Sequence, residues 1–94
     1  MGYEFEWDPA KAAANLRNHG VSFEEASTVF ADALAMLMAD PDHSTEEQRY
    51  VLLGESSQRN VLVIAFAERP PRTRLISARK ATRHERRQYE EGRH

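Results

Sequence analysis

Polar and apolar positions alternate from Glu4 to Asp8, with Phe5 and Trp7 set between acids, which predicts a short strand. The pattern then changes to helical spacing. Asp8 is placed as an N-cap, Pro9 as the first helical residue and Gly20 as the C-terminal stop. In this helix Ala12 and Leu16 lie four apart and are expected to face a core. Lys11, Asn15 and His19 lie on a neighbouring line as a cation, an amide and an imidazole. Val21-Ser22-x-x-Glu25 restarts helix with a capping box, in which Val21 staples onto Ala26. The second helix is expected to bury Phe23, Ala26 and Phe30, to expose Glu24, Glu25 and Thr28, and to end near Asp32.

The second half of the chain reads as strands. Leu34 to Ala39 is expected to be a strand, followed by an Asp40-Pro41-Asp42 turn and a polar loop from His43 to Gln48. Arg49 to Leu53 predicts a strand ended by Gly54, and Glu55 to Arg59 a hairpin loop. Asn60 to Ala67 has the near-continuous apolar character of a central strand covered on both faces. Pro70-Pro71 forces a turn, and Thr73 to Arg79 runs back as a strand. By strict alternation this strand puts Arg74, Ile76 and Ala78 on one face and Leu75, Ser77 and Arg79 on the other. Thr82-x-x-Glu85 opens a terminal helix that runs to about Glu90. The order is strand, two helices, an antiparallel meander of about four strands and a last helix, which is an α+β fold in one domain spanning residues 1–94.

Composition narrows the chemistry. The chain has no cysteine, so disulfides, thiolate metal sites and thiol nucleophiles are excluded. It has no apolar run long enough to span a bilayer and no basic-then-apolar leader, and a cytoplasmic protein without membrane attachment is expected. Charge is unevenly distributed. Residues 1–68 carry four basic groups against twelve acids, whereas residues 69–94 carry nine basic groups against three. Eight of those nine are arginines, whose planar fork of donors matches phosphate oxygens, so a polyanion or an acidic partner is expected.

The four glycines never cluster into a nucleotide loop, and no serine has a nucleophile elbow around it. The histidines (His19, His43, His84 and His94) lack paired ligand spacing. Asp40, Asp42, His43 and Glu46 lack the calcium-loop pattern and read as an acidic turn. No metal site and no cofactor are therefore expected. What remains is a basic, amide and imidazole set: Lys11, Asn15 and His19 from the first helix, Arg49 from a strand start, Arg74 and Arg79 from the last strand, and Lys80 and Arg83 just after it. This set suits RNA cleavage, in which the 2′-hydroxyl attacks the adjacent phosphate. That reaction needs a proton acceptor, cations for the developing charge and a donor for the leaving oxygen, and it needs no metal.

The combination Phe5-x-Trp7-Asp8-x-x-Lys11-x-x-x-Asn15-x-x-x-His19-Gly20-Val21-x-Phe23, with Glu47-x-Arg49, Arg74-x-Ile76-Ser77-Ala78-Arg79 and Glu85-Arg86-x-x-Tyr89, resembles the BrnT toxins over essentially the whole chain. The resemblance implies a RelE-like fold and an endoribonuclease that arrests growth by cutting RNA. It also implies a BrnA-like ribbon-helix-helix antitoxin, joined in an assembly of two toxins and two antitoxins that reaches promoter DNA only through the antitoxin. On it, Lys11, His19, Arg49 and Arg79 are the expected catalytic residues, and Asn15, Arg74, Lys80 and Arg83 the expected RNA contacts. The competing expectation is a non-catalytic module that uses the basic C-terminal segment to bind nucleic acid or protein.

Overall fold

The structure, a computed structural model, describes residues 3–39 and 48–92, so the expected acidic turn and most of the polar loop after it lie outside the described residues. The elements are β1 (Glu4–Glu6), α1 (Pro9–His19), α2 (Phe23–Ser27), a 3₁₀ turn (Thr28–Ala31), β2 (Met36–Ala39), β3 (Arg49–Glu55), β4 (Val61–Arg69), β5 (Arg72–Lys80) and α3 (Arg83–Glu91). They build one sheet of order β1-β5-β4-β3-β2. The four C-terminal strands form the expected antiparallel meander, and β1 joins its far edge parallel to β5, which makes the sheet mixed.

The local signals for the helices act as expected. Asp8 accepts from the Ala10 N–H at 2.8 Å, and Gly20 closes α1 in the left-handed region at φ 70°. Thr82 and Glu85 form the full capping box of α3. Ser22 caps α2, but only half of the box forms there, because the Glu25 carboxylate turns inward. Glu25 is buried, not exposed as expected, and accepts hydrogen bonds from Ser56 Oγ at 2.7 Å and Asn60 Nδ2 at 2.8 Å in the β3–β4 loop.

On one face of the sheet, Val21, Phe23, Ala26 and Val29 pack onto Leu52, Leu62, Ile64, Phe66, Leu75 and Ala78, with Ala12 of α1 against the same cluster. The other face holds α3, whose buried Tyr89 donates to Asp32 at the edge of β3. Leu16 is the exception to the expected packing: it is 52% exposed, while its neighbour Asn15 is buried. The sheet accounts for this inversion. β1 is only three residues long and pairs with Arg72–Arg74, so the edge of β5 beyond it needs another partner. Asn15 supplies one.

Candidate nucleic-acid interface

The side-chain amide of Asn15 pairs with both backbone groups of Ala78 as a strand residue would. Its Oδ1 accepts the Ala78 N–H at 3.0 Å, and its Nδ2 donates to the Ala78 carbonyl at 2.8 Å and to the Val21 carbonyl at 2.9 Å. Asn15 is thus committed to protein backbone. Lys11 and His19 lie one turn to either side of it, exposed, on the helix that lines the edge of β5.

Arg49, Arg74 and Arg79 fall on the sheet face opposite α1 and α2, whereas Lys11 and His19 belong to α1 and Lys80 pairs with the core-facing Leu62. Tyr50 stacks on Phe66 within the core side, so its neighbour Arg49 points to the other face, across from Ala67, and Ala67 pairs with Arg74. Arg74 in turn pairs with Glu6 of β1. Arg49, Ala67, Arg74 and Glu6 therefore form one row across four strands. Arg79 belongs to the same face. Strict alternation sets Arg74 and Arg79 on opposite faces, but Phe66 pairs with Leu75 while the preceding Ala65 pairs with Ser77. Ile76 is thus an extra residue, a bulge, and it reverses the parity of the strand. Leu75 and Ala78 both turn into the core, and Arg74, Ser77 and Arg79 turn together to the opposite face.

Two carboxylates hold these arginines. Glu6 lies 3.4 Å from Arg74, 3.6 Å from Arg69 and 3.9 Å from Arg72, so one acid serves three guanidinium groups. Glu85, at the N-terminus of α3, takes Arg79 in a two-pronged pair at 2.8 and 2.9 Å. The Arg79 guanidinium is the main cause that pulls the Glu85 carboxyl down to about 2, with the Thr82 N–H adding to it, and Glu85 raises Arg79 in return. Lys80 and Arg83 are exposed at the end of β5 and the start of α3. Sequence reasoning missed Glu6, whose role depends on the parallel pairing of β1.

No three His, Asp or Glu side chains cluster to hold a metal among the described residues. A separate groove of about 460 Å³ between Tyr3, Phe30, Leu37, Tyr50 and Phe66 is mostly apolar, with Asp32 and Glu68 also in its lining, and holds none of the expected functional residues. No helix of the described residues is long and apolar enough to cross a membrane.

Fold and site together define a small α+β domain whose mixed sheet carries arginines from β3 and β5 on one face. The family model described as "Ribonuclease toxin, BrnT, of type II toxin-antitoxin system" matches residues 7–85, and the chain belongs to this family of ribonuclease toxins. Its fold is shared with the crystal structure of the Brucella abortus ribonuclease toxin, BrnT, at a TM-score of 0.66 and 22% identity, covering 86% of this chain and 99% of that one. No curated protein sequence matches the chain.

Proposed function

We propose that this chain is a metal-independent endoribonuclease that acts on cytoplasmic RNA to arrest growth and is neutralised by a BrnA-like ribbon-helix-helix antitoxin in a two-plus-two assembly, which represses the shared promoter. The observation that carries this reading is the bulge at Ile76, which brings Arg74 and Arg79 onto the face that also presents Arg49. A phosphate on that face meets guanidinium groups from two strands across the small side chain of Ala67.

In this mechanism the RNA 2′-hydroxyl attacks the adjacent phosphorus in line, and the bond to the 5′-oxygen of the next nucleotide breaks. Arg49 and Arg79 stabilise the charge on the pentacovalent phosphate, with Arg74 holding the same group or its neighbour. Lys11 or His19, at the edge of β5, accepts the 2′-hydroxyl proton or donates to the leaving oxygen. Lys80 and Arg83 follow the strand beyond the cut. Loss of one such charge stabiliser costs on the order of 3 kcal/mol in the barrier.

The test is RNA cleavage by purified protein in EDTA, alongside Arg79→Ala. Cleavage that persists in chelator and drops steeply in the variant is the expected result. A full rate in Arg79→Ala, or loss of activity with chelator, overturns the mechanism. One observation favours a second reading: Glu6 and Glu85 already occupy Arg74 and Arg79. In a binding module those pairs open to hold RNA without cutting it, and RNA recovered intact after long incubation selects that reading.

A further inference from the structure

Three cations that make no ion pair among the described residues lie away from the arginine row. The β3–β4 loop, the last residue of β5 and the second turn of α3 border an open polar cavity of roughly 340 Å³, lined by Arg59, Lys80 and Arg86. Glu55 and Glu90 also line it. None of these five charges lies within ion-pair distance of another, and the three cations make no ion pair among the described residues. In contrast, Arg69, Arg72, Arg74 and Arg79 are each already held by a carboxylate.

Each wall is tied down by hydrogen bonds. The loop is anchored from below by the buried Glu25, which binds Ser56 and Asn60, and from the side by Thr28 Oγ1, which accepts the Ser57 N–H at 2.9 Å. Arg59 sits in this loop at φ 66°, a left-handed conformation that costs a side chain roughly 1–2 kcal/mol and that glycine adopts at no such cost. The Ala81 N–H bonds to the Val61 carbonyl at 2.9 Å, and the capping box of α3 fixes the turn that carries Arg86. Ordering a loop is one of the costs of binding, and it is reduced where the backbone is already tied down.

We infer that Arg59, Lys80 and Arg86 form a second phosphate subsite, which grips a phosphodiester of the RNA strand away from the cut; this rests on the ribonuclease reading above. Three cations and two carboxylates leave one net positive charge, matching the single negative charge of a phosphodiester. Lys80 directly follows Arg79 and turns to the opposite side of β5, so the subsite takes a phosphodiester beyond the one at Arg79, and only an oligonucleotide that extends past the cut reaches both.

The experiment measures binding of 2′-O-methyl RNA, which lacks the attacking hydroxyl, in a short and a long oligonucleotide over a salt series. Wild type is compared with Arg59→Gln/Arg86→Gln and with the charge-retaining Arg59→Lys/Arg86→Lys, all checked for native thermal unfolding. The glutamine variant is expected to bind the long oligonucleotide several-fold more weakly. Its log–log salt slope should be shallower by about 0.7, the value for one lost phosphate contact on a single strand. The loss should be larger for the long oligonucleotide than for the short one, and the lysine variant should recover most of it. If wild type cleaves RNA but the glutamine variant binds the long oligonucleotide with unchanged affinity and slope, the subsite is overturned and the ribonuclease reading stands. Unchanged RNA binding with weakened inhibition by the antitoxin overturns it in favour of a protein contact. If wild type neither binds nor cuts RNA, both are overturned.

Discussion

Asn15 and Ala78, 63 residues apart in sequence, are joined through both polar groups of the asparagine amide and both backbone groups of the alanine. This pairing extends the sheet edge where β1 stops and ties α1, with Lys11 and His19, to the strand that carries the arginines. Replacing Asn15 by alanine leaves the Ala78 N–H and the Ala78 and Val21 carbonyls buried without partners, each costing about 1–3 kcal/mol. We expect Asn15→Ala to destabilise the domain by roughly 3 kcal/mol, a fall in Tm of more than about 10 °C for a domain this size. Asn15→Asp should do no better, because it sets a carboxylate against two carbonyls. Thermal and urea unfolding of both variants measure this.

Arg79 and Glu85 link β5 to α3, and their pairing predicts a pH dependence. Glu85 is pulled from an ordinary value near 4.5 to about 2 in the folded protein. A carboxyl lowered by folding contributes stability above its unfolded value and loses it as the pH falls through the folded one. The stability difference between wild type and Glu85→Gln should therefore be constant above about pH 5 and shrink between pH 4.5 and 2. Because the pair is partly exposed, its plateau should be about 1 kcal/mol after solvent screening. Urea unfolding of the two proteins across this range reads it directly.

Glu6 restrains three arginines on the face proposed to meet RNA. Glu6→Gln removes the negative charge and leaves the guanidinium groups in place. The variant should bind a non-cleavable single-stranded RNA more tightly, with a steeper salt dependence. Its stability should fall by less than about 1 kcal/mol, as these pairs are solvent-accessible. Weaker RNA binding in Glu6→Gln would argue that Glu6 orients the arginines for RNA instead of competing with it.

Gly54 lies in β3 just beyond the start of β2, where Asp32 takes over the edge. Asp32 Oδ2 accepts the Glu55 N–H at 2.9 Å and also receives the Tyr89 hydroxyl, so one carboxylate ties β3 to α3. A Cβ on Gly54 would stand 2.8 Å from Ala35 Cβ, 2.9 Å from Val29 Cγ1 and 3.1 Å from this carboxylate. Gly54→Ala should cost about 1–3 kcal/mol by overpacking, measured by urea unfolding. It should also loosen α3, seen as faster hydrogen exchange near Tyr89.

The parts of this fold that were legible in the sequence are the parts written locally. Asp8, Pro9 and Gly20 bound α1 because caps act within one turn, and the Thr82–Glu85 box opens α3 for the same reason. The reversal of Asn15 and Leu16 was not legible. Periodicity puts leucine inward, and the hydrogen-bonding need that overrides it belongs to a strand far along the chain. Glu25 likewise fits a capping box by sequence, but a loop 31 residues away takes its carboxylate. The arginine face lay between these cases. Alternation separates Arg74 from Arg79, yet the adjacent Leu75-Ile76 pair already breaks a period of two, and that break is the trace of the bulge.

In the proposed reaction, RNA is cut by its own 2′-hydroxyl on a face of arginines. The most direct measurement is the chemistry of the ends that purified protein leaves on a defined RNA in EDTA. The expected products are a 2′,3′-cyclic phosphate and a 5′-hydroxyl, with no cut at a nucleotide carrying a single 2′-deoxy substitution and a steep loss of rate in Arg49→Ala. Products ending in 3′-hydroxyl and 5′-phosphate, or cleavage that continues at the 2′-deoxy position, would contradict it.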